Sequence, residues 1–213
     1  MELMDRAASR IAPPVPLSWH AEGGHDQIVV LRNLTWEQYE AIDRAKGNAP
    51  QPLAAYLDGE LELVTTSSQH ERVKKLLGRL VDAYAEERGL RLDGFGHATL
   101  RRKAKRAGVE PDDWYRTRKR SKVPDLAIEV VFTSGGVDKL EIYRRLGVAE
   151  VWFWVNGKIW VYTLKDGAYE ESARSSALPK IDLGELERII AASDDDTDQI
   201  EIIRAFRASL HSR

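Results

Sequence analysis

The chain has no cysteine, which excludes disulfides and thiolate metal sites and points to a reducing, cytoplasmic setting. It has no run of about 18 apolar residues that could cross a membrane. The polar start Met1-Glu-Leu-Met-Asp-Arg6 lacks the pattern of a signal peptide, so no membrane partner is expected. Histidine is sparse, and His20, His25, His70, His97 and His211 form no His-x-x-x-His pair. That spacing speaks against a zinc hydrolase. What remains is 213 residues at 43% hydrophobic composition, enough for one well-buried domain with small additions.

The formal charge of -2 conceals an uneven distribution. Arg101, Arg102, Lys103, Lys105, Arg106, Arg116, Arg118, Lys119, Arg120 and Lys122 crowd one stretch, against only Glu110, Asp112 and Asp113. A basic block beside acidic residues suits a polyanion such as DNA. The same block also suits a solvated hairpin whose cations guard exposed strand edges.

Residues 1–27, with Pro13-Pro14-Val15-Pro16 and Gly23-Gly24, read as a loose or strapped arm. Thr35 with Gln38 forms a capping box opening a short helix to Asp43. Two strands, 53–57 and 60–64, flank the turn signal Asp58-Gly59. The clearest helix follows: Ser68 caps it, Glu71 completes the box, and Val73, Leu76, Leu77, Leu80, Val81 and Tyr84 make one apolar stripe as far as Gly89. Strands are expected at about 90–106, 109–117 and 124–132. A helix from Asp138 to Leu146 stops at Gly147. A hairpin of 150–155 and 158–164 turns at Asn156-Gly157, and helices at 182–192 and 198–211 close the chain, joined near Asp194-Asp-Asp196.

The most informative residue is Glu129, set in the apolar run Val123-Pro-Asp-Leu-Ala-Ile-Glu-Val-Val-Phe132. A carboxylate inside a buried strand is costly unless a cation or hydrogen-bond donors satisfy it. Asp125 and Glu129 share a face but stand about 13 Å apart at ~3.3 Å per residue, too far for one Mg²⁺ with ligands at about 2.1 Å. Glu129 therefore needs a carboxylate from a neighbouring strand, and Asp112 is the natural one across a short antiparallel connection. Lys139 shares the inward stripe of its helix with Ile142, Tyr143 and Leu146. There it either meets the buried acid, as an ion pair or a catalytic cation, or snorkels to water. Two carboxylates and a lysine are the layout of a metal-dependent phosphodiesterase.

Three further residues are accessory candidates. His70 points toward the core, reaching a phosphate or a metal-bound water, or else sitting there as a satisfied histidine. Glu62 shares a strand face with Glu60 and either enters the site or stays solvated. Asp125 orients a water or, more simply, caps the start of its strand after Pro124. Trp114, Trp152, Trp154 and Trp160 either stack on bases or clad the sheet.

The ordered set Asp58-Gly-Glu-Leu-Glu-Leu-Val64, Ser68-Gln-His-Glu71, Gly108-Val-Glu-Pro-Asp-Asp-Trp-Tyr115, Pro124-Asp-Leu-Ala-Ile-Glu-Val130, Asp138-Lys-Leu-Glu-Ile-Tyr143 and Leu146-Gly-Val-Ala-Glu-Val-Trp152 resembles one known family. It is similar to the Uma-two family of restriction-endonuclease domains, within the PD-(D/E)xK nuclease superfamily, from about residue 30 to 207, including Arg204-Ala-Phe-Arg207.

The resemblance implies an α/β (α+β), restriction-endonuclease-like fold: a mixed central sheet flanked by helices, with an N-terminal helix and hairpin added. The nuclease domain would span 28–180, with 181–213 a C-terminal helical extension packed on it. Asp112 and Glu129 would bind Mg²⁺, which Mn²⁺ can replace, with the Val130 carbonyl as a further ligand. Lys139 would be the superfamily lysine moved from strand to helix, since Val131 stands where the strand lysine would be. The implied activity is DNA phosphodiester hydrolysis. The rival reading is an inactive nuclease-fold module that binds nucleic acid or a protein. Nucleases that cut duplexes often pair symmetrically, so a homodimer is a further expectation.

Overall fold

A computed structural model of the protein describes residues 25–119, 121–132 and 136–211. Residues 1–24 of the expected arm, and Arg120 of the basic block, lie outside the described residues. Eleven strands and five α-helices are found among those described. In chain order they are β1 (Gln27–Leu31), α1 (Trp36–Lys46), β2 (Leu53–Leu57), β3 (Glu60–Thr65), α2 (Ser68–Glu87), β4 (Asp93–Gly94), β5 (Leu100–Arg102) and β6 (Ala107–Val109). There follow β7 (Asp113–Arg116), β8 (Leu126–Val131), α3 (Lys139–Leu146), β9 (Glu150–Val155), β10 (Lys158–Lys165), β11 (Ala168–Ser172), α4 (Leu183–Ala191) and α5 (Gln199–His211).

The strands form two sheets rather than one. The first has the order β1-β3-β2-β6-β5 and is antiparallel throughout. The second has the order β11-β10-β9-β8-β7-β4 and is mixed, because β8 and β9 run parallel on either side of α3. That connection is a βαβ unit, and parallel neighbours require such a crossover. No described helix is long and apolar enough to cross a membrane.

Strand alternation builds the layers. On β8 and β9, Leu126, Ile128, Val130, Trp152 and Trp154 face one way and join Leu76, Leu77, Leu80, Val81 and Tyr84 of α2, with Leu186, Ile190, Phe206 and Leu210 of α4 and α5. The C-terminal helices thus complete the main core. Ala127, Val151, Phe153 and Val155 face the other way, onto Ile142, Tyr143 and Leu146 of α3, with Ala55, Ala107 and Val109 of the first sheet beyond. Helix α1 covers that sheet's outer face through Trp36, Tyr39, Ala54, Tyr56 and Leu61. Helix α3 is the middle layer between the two sheets.

Local chemistry explains the elements that were foreseen. Thr35 and Gln38 make a full capping box on α1. Asp58 and Gly59, and Asn156 and Gly157, all take positive φ at their turns, as two-residue hairpins of this type require. Gly147 ends α3 in the left-handed conformation.

Other expectations are corrected. The N-cap of α2 is Ser67, whose hydroxyl accepts from His70 N, not Ser68. Glu71 accepts from the Thr66 hydroxyl and pairs with Lys74 instead of closing a box. The expected strand at 90–106 is broken into β4, β5 and a 3₁₀ turn at Lys103–Lys105. β1 and β11 were not foreseen, since both are half-exposed edge strands without a clean apolar alternation.

Gly108 on β6 has a packing reason. A Cβ there would lie 2.6 Å from the Tyr39 hydroxyl and 3.1 Å from its Cζ. Tyr39 cannot easily yield, because its ring stacks on Tyr56 at 4.7 Å and meets Trp36 edge-on. Gly108→Ala is therefore expected to destabilise the fold by about 1–3 kcal/mol, read as a lowered urea midpoint.

Candidate active site

The β7–β8 ladder pairs Tyr115 with Leu126, Trp114 with Ala127 and Asp113 with Ile128. Asp112 lies just before β7, one residue beyond the last pair, and approaches the Glu129 end of β8. The approach is direct: the Val130 amide donates to Asp112 Oδ2 at 2.8 Å. Glu129 faces the α3 side of the sheet with Ala127 and is fully buried.

Lys139 is the first residue of α3, after the N-cap Asp138. Its Nζ donates to Glu129 Oε2 at 2.7 Å. One turn on, the Tyr143 hydroxyl donates to Glu129 Oε1. A cation in the first turn opposes the helix dipole, so this lysine stands there for the carboxylates rather than for the helix.

Asp112 lies on the short crossing by which the chain leaves the first sheet at β6 and enters the second at β7. Both shoulders of the crossing are pinned. Glu110 is buried against Lys46, with Nζ–O distances of 2.5 and 2.6 Å, and accepts from Ala54 N at 2.9 Å. Asp113 accepts from Gly96 N, Trp114 N and the Tyr115 hydroxyl. Asp112 itself accepts at Oδ1 from His70 Nε2 at 2.9 Å, and the other ring nitrogen of His70 meets Asp26 Oδ2 at 2.7 Å.

Burial and charge compete at each group. Burial raises the Glu129 pKa, Asp112 adds to the rise, and Lys139 opposes it; the net is upward. For Lys139, burial acts to lower the pKa, but Glu129, Asp112 and Glu62 outweigh it, so the amine remains an ammonium ion. Burial would lower the His70 pKa as well, yet its bonds to Asp112 and Asp26 raise it to about 9. Asp112 is held below the ordinary aspartate range, because His70 overcomes the cost of burial.

The accessory candidates separate clearly. Glu62 is buried and accepts from Gly136 N at 2.7 Å, so it anchors the approach to α3 and adds to the field on Lys139. Glu60 is the solvated member of that strand and pairs with Arg32. His70 has both ring nitrogens engaged and is buried, so no nitrogen is left for a phosphate. Asp125 is structural: it accepts from Thr117 N, Arg118 N and the Arg118 guanidinium, closing the β7–β8 turn. Trp152 and Trp154 belong to the core, and Trp114 stacks on Phe95 at 4.1 Å, so these indoles clad the sheet.

The basic block divides. Arg101, Arg102, Lys103, Lys105 and Arg106 sit on the β5–β6 hairpin of the first sheet. Arg116, Arg118, Lys119 and Lys122 sit at the β7–β8 turn of the second, at the other end of the run that carries Asp112. Arg101, Lys103, Arg106 and Arg118 pair with Asp43, Glu37, Asp58 and Asp125.

Two partners in the site went unforeseen. Tyr143 was readable, since it lies four residues after Lys139 on the same helical stripe. Asp26 was not, because nothing local marks a single aspartate between an apparent arm and an edge strand. A cavity of about 730 Å³ opens beside the start of α2, lined among others by Arg72, Phe132, Trp154 and Asn156, but not by Asp112, Glu129 or Lys139.

The residues present fit a hard divalent ion. Among the described residues, no group of three or more His, Cys, Asp or Glu side chains is gathered to hold a metal. Mg²⁺ does not need one: it keeps several waters and is bound through one or two carboxylates. Asp112 and Glu129 supply two, each oxygen with a lone pair beyond its present hydrogen bond.

A family model described as "Uma2: Putative restriction endonuclease" matches residues 36–190, well over half of the chain. The chain belongs to the Uma2 family. No curated protein matches it. Among solved structures, "a putative nuclease belonging to DUF820" from Anabaena variabilis ATCC 29413 is similar at 12% identity and a TM-score of 0.49, over 82% of this chain and 99% of that one.

Proposed function

We propose that this Uma2 protein is a Mg²⁺-dependent endonuclease that hydrolyses phosphodiester bonds of DNA, with Mn²⁺ able to substitute. The observation that carries the reading is the convergence of Asp112, Glu129 and Lys139, from a sheet crossing, a buried strand and a helix start. Asp112 and Glu129 would hold the ion. When bound, the ion supplies Lewis-acid polarisation of the phosphoryl group and activation of water.

The chain's own residues do the rest. Tyr143 and Lys139 fix both oxygens of Glu129. Lys139 keeps a fifth of its side-chain surface exposed, and its ammonium group is held against buried Glu129. Because its pKa is raised, Lys139 works as a fixed positive charge and not as a proton acceptor. Arg102, Lys105, Lys119 and Lys122 are exposed and suited to backbone contacts, which position a duplex without reading its sequence.

A second reading draws on one observation: every oxygen of Asp112 and Glu129 already has a donor from the protein. An inactive nuclease-fold module that binds nucleic acid or a protein would show the same closed network. Nicking of supercoiled plasmid across Mg²⁺ and Mn²⁺ distinguishes the two. The enzyme nicks only with the ion, and chelation stops it. The module binds DNA in a salt-dependent way or not at all, and never cleaves. Saturating Mg²⁺ is also expected to raise the melting temperature, because binding at a hundred times Kd adds about 2.7 kcal/mol to the stability.

A further inference from the structure

We propose that Asp26 and His70 are positioning residues for Asp112, forming a buried carboxylate–imidazole–carboxylate chain that fixes how Asp112 presents its oxygens. This rests on reading Asp112 as a metal ligand. The chain starts outside the sheets, at the residue before β1, and ends at the crossing between them. Its links are 2.7 Å from Asp26 Oδ2 to His70 Nδ1 and 2.9 Å from His70 Nε2 to Asp112 Oδ1. All three side chains are at least nine-tenths buried.

The geometry assigns the roles. Carboxylates only accept, so a ring facing one at each nitrogen must donate at both. His70 is then neither a ligand nor a contact for phosphate. Asp26 sets the ring's orientation, and the ring holds Asp112 Oδ1 while the Val130 amide holds Oδ2. With both oxygens tethered, the carboxylate plane of Asp112 cannot rotate, which is what an ion shared with Glu129 requires. Removing partners that orient a ligand typically costs about 10–100-fold in metal affinity.

A purely structural alternative exists on the same atoms. Asp26 Oδ1 accepts from Ser67 N at 2.7 Å, and the Ser67 hydroxyl caps α2 at His70 N. The cluster therefore also ties down the start of that helix. Ser67→Ala bears chiefly on this function: it removes the cap hydroxyl, while the Ser67 amide stays on Asp26 Oδ1 and both His70 bonds stay in place.

The test is calorimetric titration of Mn²⁺ into the 213-residue chain, with melting temperatures and plasmid nicking measured alongside. Asp26→Asn and His70→Gln are each expected to weaken Mn²⁺ binding about 10–100-fold, with nicking largely recovered at saturating Mn²⁺. Ser67→Ala should melt earlier yet bind Mn²⁺ like the unaltered chain. If Asp26→Asn does not fold, His70→Gln carries the comparison. Variants that bind Mn²⁺ as tightly as the parent overturn the positioning role alone, and so does a Ser67→Ala protein that loses affinity equally. A parent chain that takes up no Mn²⁺ overturns the metal reading and this proposal with it.

Discussion

Glu129→Gln is expected to lower ion-dependent nicking on the order of 10³-fold, while the chain remains folded. The amide keeps the shape of the side chain and an oxygen for Tyr143 or Lys139, but it removes the negative charge that would hold a divalent ion. Several kcal/mol of transition-state stabilisation come from such an ion, and each 1.36 kcal/mol is a factor of ten in rate. The fold tolerates the change because Lys139 is not left alone: Asp112 and Glu62 remain in its field. The melting temperature should therefore fall only modestly. Unchanged nicking by Glu129→Gln would refute the assignment of this site, and an unfolded variant would be answered by Glu129→Asp.

Lys139→Met is expected to have the larger effect on stability. It strands Glu129 and Asp112 beside each other without the ammonium ion, and breaking a buried pair from one side costs about 3–5 kcal/mol. The penalty has a defined pH dependence. The Glu129 pKa is already raised by burial and by Asp112, and loss of Lys139 raises it further. A carboxylate with a raised folded pKa binds its proton more tightly in the folded state. The deficit is thus greatest at neutral pH and shrinks as the pH falls through the raised folded value toward that of an ordinary glutamate. The double variant Glu129→Gln/Lys139→Met should regain most of the lost stability, since neither charge is then unpaired, yet stay inactive. Urea unfolding of the four proteins at neutral and mildly acidic pH reads out this cycle. Additive losses would show that the two residues do not act as a pair.

Much of the candidate site's geometry was legible because it depends on short-range rules. Strand alternation put Glu129 on the face opposite Ile128 and Val130, and a short antiparallel connection brought Asp112 to the Val130 amide beside it. Helical spacing turned Lys139 inward with Ile142 and Tyr143. The turn dipeptides Asp58-Gly59 and Asn156-Gly157 fixed their hairpins from two residues each. What escaped is what only the assembled sheets decide. β1 and β11 gain their strand identity from neighbours rather than from apolar content. At the crossing between the two sheets, Glu110 meets Lys46, 64 residues away in the chain. Asp26 earns its role through His70, 44 residues further on. The cations of residues 101–122 are adjacent in sequence, and yet the extended run between them carries the two groups to separate ends.

That same run gives the molecule a mechanical property. Asp112 is a strut between two sheets, anchored at Glu110 on one and at Asp113 on the other, whereas Glu129 travels with the second sheet alone. Because the Val130 amide also holds Asp112 Oδ2, the crossing ties the first sheet to the very strand that carries Glu129. In the proposed endonuclease, a duplex touching both the β5–β6 hairpin and the β7–β8 turn would contact the two sheets that this crossing ties together.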